Sequence, residues 1–251
     1  MIYILLPCFN EYQNLEIIIN KINSLSLQTK KNIYRIIIIN DGSSDETHER
    51  INQLKRKSKN KILYVYHKKN IGLNMAMFSG FKKFLDSANA TDIAITLDSD
   101  NSHPISLIPK IIKPIKENKF DIVIASRFQK GSIIKGLSIF RKILSEGARL
   151  IFKLSFPIEN VEDYTCNFRG YNFNTLKKSK LIKKDFFLNK DFSVIADLLI
   201  NLNKENCNLR INEVPLKLRY DFKLGTSKLN ISKNIFKTLL VVLRNFLKKK
   251  L

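Results

Sequence analysis

Cysteine is scarce in this chain. Its 251 residues hold three, Cys8, Cys166 and Cys207, and none belongs to a CxxC spacing. That argues against a disulfide framework and against a zinc site, and it suits a reducing cytosol. Long apolar runs are missing too. No stretch approaches the ~20 residues that a spanning helix needs, so the chain is not expected to cross a membrane by itself. The opening Met1–Pro7 lacks a basic n-region, and its apolar run is too short for a signal peptide. Acidic residues are outnumbered, with 22 Asp and Glu against 44 Lys and Arg, a net charge of +22. Such an excess points to anionic partners: nucleic acid, anionic lipid headgroups or phosphorylated substrates. Tryptophan is absent while Lys, Ile and Asn are abundant throughout, so part of the excess is compositional drift. The remaining balance, 44% hydrophobic and 26% charged, is that of an ordinary globular protein and excludes wholesale disorder. The length allows one domain, or one with an extension, and a sizeable core.

Strand and helix patterns alternate from the first residue. Ile2–Leu6 reads as a strand closed by Pro7, and Tyr12–Leu25 has a helical period. Ile33–Ile39 is apolar nearly throughout, as in a parallel strand buried on both faces. Asp45 suits the N-cap of a helix running to about residue 57. A third strand, Ile62–Tyr66, precedes a helix over 73–85 whose Ala76, Ser79 and Gly80 permit close packing on a sheet. Ile93–Leu97, a helix over 105–116 and Ile122–Ala125 complete the series. The order predicts a doubly wound, mainly parallel α/β sheet. Beyond Ser126-Arg127 the pattern changes to a loop over 128–136, then helices over 137–154, 173–181 and 192–203. Leu209–Tyr220 alternates like an edge strand, where Pro215 is tolerated. Ser232–Leu251 forms a basic amphipathic helix with an apolar stripe flanked by Lys233, Lys237, Arg244 and Lys248–Lys250.

The stretch IAITLDSDNSHP, residues 93–104, carries the clearest chemistry. A strand meets two carboxylates, Asp98 and Asp100, spaced so that both project the same way from its C-terminal edge. That edge is where open α/β sheets bind ligands. Two hard oxygen donors held together suit Mg²⁺ or Mn²⁺ shared with substrate phosphates. Alternatively, one carboxylate caps the following turn and the other is solvated. Glu11 and Asp41 fall at the matching edges of the first and second strands, so four carboxylates converge on one cleft. A nucleotide fits such a cleft: Asp41 can accept from a base N–H, Glu11 from ribose hydroxyls, and a metal at Asp100 can take a diphosphate. Asn-Asp-Gly-Ser at 40–43 is equally a turn sequence.

These segments carry a family resemblance. Pro7-Cys8-Phe9-Asn10-Glu11, Asn40-Asp41-Gly42-Ser43-Ser44-Asp45, Asn70-x-Gly72 with Ala76 and Gly80, and Asp98-Ser99-Asp100 resemble the family 2 inverting glycosyltransferases of the GT-A fold. His103-Pro104, Ser126-Arg127-Phe128, Asp163-x-Thr165 with Phe168-Arg169-Gly170, and Arg219 through Gly225-x-Ser227-Lys228 resemble its dolichyl-/polyprenyl-phosphate sugar synthase branch. The resemblance covers roughly residues 2–230, which implies a GT-A domain over 1–230 followed by the amphipathic helix at 231–251. It implies transfer of a hexose from a GDP- or UDP-sugar to a polyprenyl phosphate, with Mg²⁺ or Mn²⁺, at the cytoplasmic face of a membrane. Carried over, Pro7, Phe9, Glu11 and Asp41 contact the nucleotide, Asp98 lies near the sugar, and Asp98 and Asp100 hold the metal. Arg127 and Arg141 hold the lipid phosphate, with Arg219 and Lys228 around the phosphates. Asn40, Cys8 and Phe9 depart mildly from the pattern. Ser102 stands where the branch commonly places a Gln as an added metal ligand.

The residue chemistry also suits a phosphate acceptor. A phosphate monoester is already anionic at neutral pH and needs cations for orientation rather than a general base. The second half supplies Arg127, Arg141, Arg149, Arg169, Arg219 and Lys228. Asp163 is either a base toward a glycan or glycolipid hydroxyl, or the partner of Arg169. With a lipid acceptor, the C-terminal helix reads as an interfacial anchor or as a dock for a small membrane subunit. A nucleic-acid-binding module is the reading from another class. Against it, the aromatics are not interleaved with basic residues as stacking platforms, so no nucleic acid partner is expected. A sugar-nucleotide-binding pseudoenzyme would rest on Ser102 alone.

Overall fold

The computed structural model describes residues 1–29, 32–179, 186–187, 194–205 and 209–224. A seven-stranded sheet runs through its centre. Strands β1 (Ile2–Cys8), β2 (Tyr34–Asp41), β3 (Lys61–His67) and β4 (Ile93–Thr96) lie parallel in the spatial order β3-β2-β1-β4. Every residue of β1 and nearly every residue of β2 is buried, as the Ile-rich sequences predict for strands covered on both faces. The β1–β4 ladder ends at Leu5–Thr96, so β1 runs on past β4 and Pro7 sits where only β2 flanks it.

Helices α1 (Tyr12–Gln28), α2 (Thr47–Lys57) and α3 (Leu73–Ser87) connect these strands. The N-cap of α2 is Glu46 rather than the expected Asp45, which stands one residue earlier and accepts through Oδ1 from the Thr47 backbone N at 3.0 Å. On α3, a Cβ at Gly80 would stand 3.0 Å from Ile39 Cδ1 and 3.3 Å from Leu5 Cδ2. The small residues therefore do let the helix lie close on β1 and β2. A 3₁₀ turn, Ile105–Leu107, leads into α4 (Ile108–Lys116), which buries Ile108, Ile111, Ile112 and Ile115.

The second half departs from the sequence reading in three places. β5 (Ile122–Ser126) is parallel to β4 but not adjacent to it. β7 (Arg169–Asn172) lies between them, antiparallel to both. An Arg and a Gly at its start hid this strand. Arg169 is fully buried and donates to the carbonyls of Tyr164 (2.7 Å) and Ile195 (3.0 Å). A Cβ at Gly170 would stand 2.6 Å from Ile111 and 2.8 Å from Ile115, so only glycine lets α4 seat on the sheet. The expected loop 128–136 contains β6 (Ile133–Lys135). The expected edge strand splits at Leu216: β8 (Ile211–Pro215) pairs parallel with β5 at the sheet edge, and β9 (Lys217–Arg219) pairs parallel with β6 in a separate two-stranded sheet.

Helices α5 (Ile139–Ser155), α6 (Phe173–Lys178) and α7 (Val194–Glu205) match the expected segments over their described lengths. The C-terminal helix expected at 232–251, and Lys228, lie outside the described residues. Among the described residues, no helix is long and apolar enough to cross a membrane.

Candidate functional site

The C-terminal ends of β1, β2 and β3 are knitted into one rim. Asn10 takes a left-handed conformation (φ 56°) at the end of β1. Its backbone N donates to Ser43 Oγ at 2.9 Å, and its side-chain oxygen accepts from the Ser44 backbone N at 2.8 Å. Gly42 has φ +67°, and a Cβ there would meet the Lys69 carbonyl carbon at 2.2 Å. The loops after β2 and β3 therefore touch backbone to backbone. Asp41, buried at the end of β2, secures that contact. Its Oδ1 faces His67 Nδ1 at 2.7 Å and accepts from Ile71 N at 3.1 Å, while Oδ2 accepts from Gly72 N at 2.8 Å. An ionised carboxylate only accepts, so the His67 proton sits on Nδ1, with Nε2 turned to Ser79 Oγ at 2.9 Å. Asp41 thus organises the loop that carries Asn70 and Gly72. With one donor on Oδ2, it keeps acceptor capacity there. Glu11 opens α1 beside this rim: its backbone N donates to Thr47 Oγ1 at 2.9 Å and its Oε2 accepts from Asn14 at 2.7 Å.

The fourth strand edge brings the paired carboxylates together. Asp98 is half exposed and accepts from Asn167 Nδ2 at 3.1 Å. Its backbone N lies 3.1 Å from His103 Nδ1, and His103 Nε2 lies 4.0 Å from Asp98 Oδ2. Asp100 is buried. Its Oδ1 accepts from the Ser102 hydroxyl (2.6 Å) and backbone N (3.1 Å), and its Oδ2 accepts from Lys223 Nζ at 2.8 Å. Burial alone would raise the Asp100 carboxyl, but His103, the Lys223 ammonium and the Ser102 hydroxyl together hold it below the usual carboxylate range.

Residues 219–224 form a strap across this loop. Arg219 N donates to the Ser102 carbonyl at 3.0 Å, and Asn101 Nδ2 donates to the Phe222 carbonyl at 3.2 Å. Asn14 Nδ2 donates to the Leu224 carbonyl at 3.1 Å, reaching the residue that also binds Glu11. Tyr220, within the strap, is pushed up to about 12 by burial and by the neighbouring Asp98, with Arg127 opposing.

Arg127 follows β5 and is locked by Asp163. Its Nε and backbone N reach Asp163 Oδ2 at 2.8 and 3.0 Å, and its Nη2 reaches Asp163 Oδ1 at 2.6 Å and Thr165 Oγ1 at 2.5 Å. Asp163 is fully buried, and its Oδ1 also accepts from the backbone of Thr165 and Cys166. Burial would raise this carboxyl, but the Arg127 guanidinium and the backbone donors hold it low. The partner of Asp163 is thus Arg127, not Arg169. A carboxylate with this many donors is poorly placed to take a proton. Nη1 of Arg127 keeps both its N–H groups among the described residues.

The other cations expected around the phosphates are Arg219, Arg141 and Lys228. Arg219 forms a fork onto Asp221 (2.7–3.1 Å) and lies 3.7 Å from the Phe222 ring centroid. Arg141 stands near the start of α5 with no acidic partner among the described residues, and Lys228 lies outside them. Pro7 and Cys8 are buried in β1, with Phe9 half-buried at its end. Lys223 is the site residue that sequence reasoning missed. Its only signal was its place two residues before the Gly225-x-Ser227-Lys228 motif.

The donor set suits a hard divalent cation. Asp98 and Asp100 offer carboxylates from one loop, Ser102 adds a hydroxyl beside Asp100, and Asp100 Oδ2 already faces a positive group. Among the described residues no three His, Cys, Asp or Glu side chains cluster. Protein ligands would thus fill part of a coordination shell, the habit of Mg²⁺ bound between one or two carboxylates and substrate phosphates.

The chain matches the model of "Glycosyl transferase family 2" over residues 3–180. It is 32% identical over 166 residues to the dolichol-phosphate mannosyltransferase of Pyrococcus furiosus, covering 66% of this chain and 44% of the relative. It is 27% identical over 231 residues to the UDP-N-acetylglucosamine–dolichyl-phosphate N-acetylglucosaminyltransferase of Methanococcus voltae, covering 88% and 86% of the two chains. The chain thus spans under half of the first relative and most of the second. In fold it resembles the crystal structure of mannosyl-3-phosphoglycerate synthase from Rubrobacter xylanophilus, with a TM-score of 0.68 at 14% identity over all of this chain and 75% of that one. The mainly parallel α/β sheet is that of a GT-A fold, and the chain belongs to glycosyl transferase family 2.

Proposed function

We propose that the protein transfers a hexose from a nucleoside-diphosphate sugar to a polyprenyl phosphate. The observation that carries the acceptor class is the Arg127–Asp163 pair. A hydroxyl acceptor needs a base to take its proton, whereas a phosphate monoester arrives ionised and needs a positioned cation. Asp163, the acidic candidate for that base, is taken up by Arg127. The same pair fixes the guanidinium, with Nη1 left to orient an anionic oxygen. Holding the acceptor in line with the anomeric carbon is the main work left to the protein.

On the donor side, the rim of Phe9, Glu11 and Asp41 receives the nucleoside. Asp98, the more open carboxylate, lies toward the sugar. Asp98 and Asp100 hold Mg²⁺ or Mn²⁺, which would neutralise the departing diphosphate when bound. Asn167 and His103 orient Asp98, and Ser102 orients Asp100. Arg141 adds positive charge on the acceptor side. The names of the two relatives support the acceptor class and differ in the sugar, so mannose and N-acetylglucosamine are both candidate cargoes.

The test is release of nucleoside diphosphate from a panel of GDP- and UDP-sugars, with Mg²⁺ or Mn²⁺, with and without a short polyprenyl phosphate. Lipid-dependent release with a sugar-phosphate lipid product is the expected result, and it names the donor. Release that depends instead on a glycan hydroxyl would overturn the acceptor assignment.

A further inference from the structure

Asp41 and His67 are register partners at the ends of the parallel strands β2 and β3, so the sheet itself sets one beside the other. The carboxylate has little acceptor capacity left. An ionised carboxylate offers about four lone-pair directions, shared between its two oxygens. The consecutive backbone amides of Ile71 and Gly72 form a fork that takes one on each oxygen, Oδ1 at 3.1 Å and Oδ2 at 2.8 Å. His67 Nδ1 takes the second position on Oδ1, at 2.7 Å. Among the described residues these are the donors to Asp41, and they leave one acceptor position, on Oδ2.

The imidazole is held in that place from both sides. Its Nδ1 proton goes to the carboxylate, and its Nε2 accepts from the Ser79 hydroxyl on α3 at 2.9 Å. A ring fixed by strand register on one side and by a helix on the other keeps Oδ1 occupied. Removing His67 would open a position on Oδ1 without touching the two backbone amides.

Nucleobases differ in what they ask of such a group. The uracil edge carries one N–H, at N3, between two carbonyl oxygens, and one acceptor satisfies it. The guanine edge carries N1–H and the N2 amino group side by side, and a carboxylate meets them with both oxygens at once. Asp41 has no second oxygen to offer, so a guanine set against it would keep a donor without a partner, which is the costly case. We propose that His67 selects the base of the sugar donor: by filling Asp41 Oδ1 it leaves a single acceptor, which suits uridine diphosphate and disfavours guanosine diphosphate. The selection rests on the rim of Phe9, Glu11 and Asp41 being the nucleoside site of the proposed transferase.

Calorimetric titration of the full chain with UDP and with GDP, in Mg²⁺ and without an acceptor, tests this. UDP is expected to bind about tenfold more tightly or better, the scale of one unpaired buried donor. His67→Phe keeps a flat ring and frees the second Oδ1 position, so the preference for UDP is expected to shrink at least several-fold. His67→Gln, whose amide N–H restores a donor to Oδ1, is expected to keep the preference. A merely structural role would weaken both nucleotides alike and leave their ratio unchanged in His67→Phe, and that result would overturn the proposal. So would equal or tighter binding of GDP by the wild-type protein, a measurement that needs no variant to fold. Binding of neither nucleotide would remove the nucleoside from the rim, and the selector with it. The acceptor assignment fails separately: a UDP preference without lipid-dependent turnover supports His67 and defeats the lipid acceptor, while lipid-dependent turnover of a GDP-sugar does the opposite.

Discussion

Lys223 and Asp100 lie 123 residues apart in the chain and meet at 2.8 Å. The ammonium comes from the strap over residues 219–224, and the carboxylate from the loop after β4. A cation delivered by the chain itself therefore faces the oxygen assigned to a divalent metal, and the two compete. Lys223→Met is expected to tighten Mn²⁺ binding in the absence of donor by about tenfold, roughly 1.4 kcal/mol, a modest share of a charge-assisted hydrogen bond. Titration followed by the electron paramagnetic resonance of free Mn²⁺ reads this directly. Equal affinities in the two proteins would mean that the ammonium and the metal occupy different places.

Asp100→Asn should separate the metal from the fold. The amide keeps the acceptor toward Ser102 and loses the charge that a divalent ion needs. Nucleoside diphosphate release is expected to fall by at least about 10²-fold, the scale of losing one electrostatic contributor to a developing anion. Far-UV circular dichroism should be unchanged. Wild-type turnover in this variant would remove Asp100 from the metal site.

The first half of the fold was legible because its signals are local. Ile-rich runs ending in polar residues gave β1, β2, β3 and β4 and placed Glu11, Asp41, Asp98 and Asp100 at adjacent strand ends. The second half is set by partners distant in sequence. β7 begins with Arg-Gly, poor strand residues in isolation, and is stabilised by two carbonyls for Arg169 and by the space Gly170 leaves for α4. The pairing of Asp163 with Arg127 rather than Arg169 was equally out of reach, since both arginines lie at plausible distances along the chain. Lys223 was hidden for the same reason: nothing in RYDFKL says that the strap folds back over residues 100–102.

Gly42→Ala tests whether the rim is built for the nucleoside. The left-handed φ and the Cβ contact at 2.2 Å with the Lys69 backbone cannot both be relieved without moving one loop. Destabilisation of about 2–4 kcal/mol by chemical denaturation is expected, above the usual cost of replacing a glycine at positive φ. The KM for the sugar nucleotide should rise while the affinity for the acceptor stays. A stable variant with an unchanged KM would separate the loops at 42 and 69–70 from donor binding.

Asp163→Asn combines stability and pH in one experiment. Removing the charge leaves Arg127 buried against an amide, and loss of one partner of a buried pair costs about 3–5 kcal/mol. The folded-state pKa of Asp163 is depressed, so its contribution is fully present above the unfolded value of about 4 and is lost as the pH falls through the folded one. The stability gap between wild type and variant is therefore expected to be widest near neutrality and to narrow on acidification below about pH 4. Denaturant unfolding of both proteins at several pH values checks this. A gap that stays constant across the range would mean that Asp163 is not an ionised partner of Arg127. Activity supplies the second arm. If Asp163 only positions Arg127, the variant loses acceptor affinity and keeps the acid limb of the wild-type pH–rate profile. If Asp163 were the base, that limb would vanish with it, and a hydroxyl acceptor would again be the better assignment.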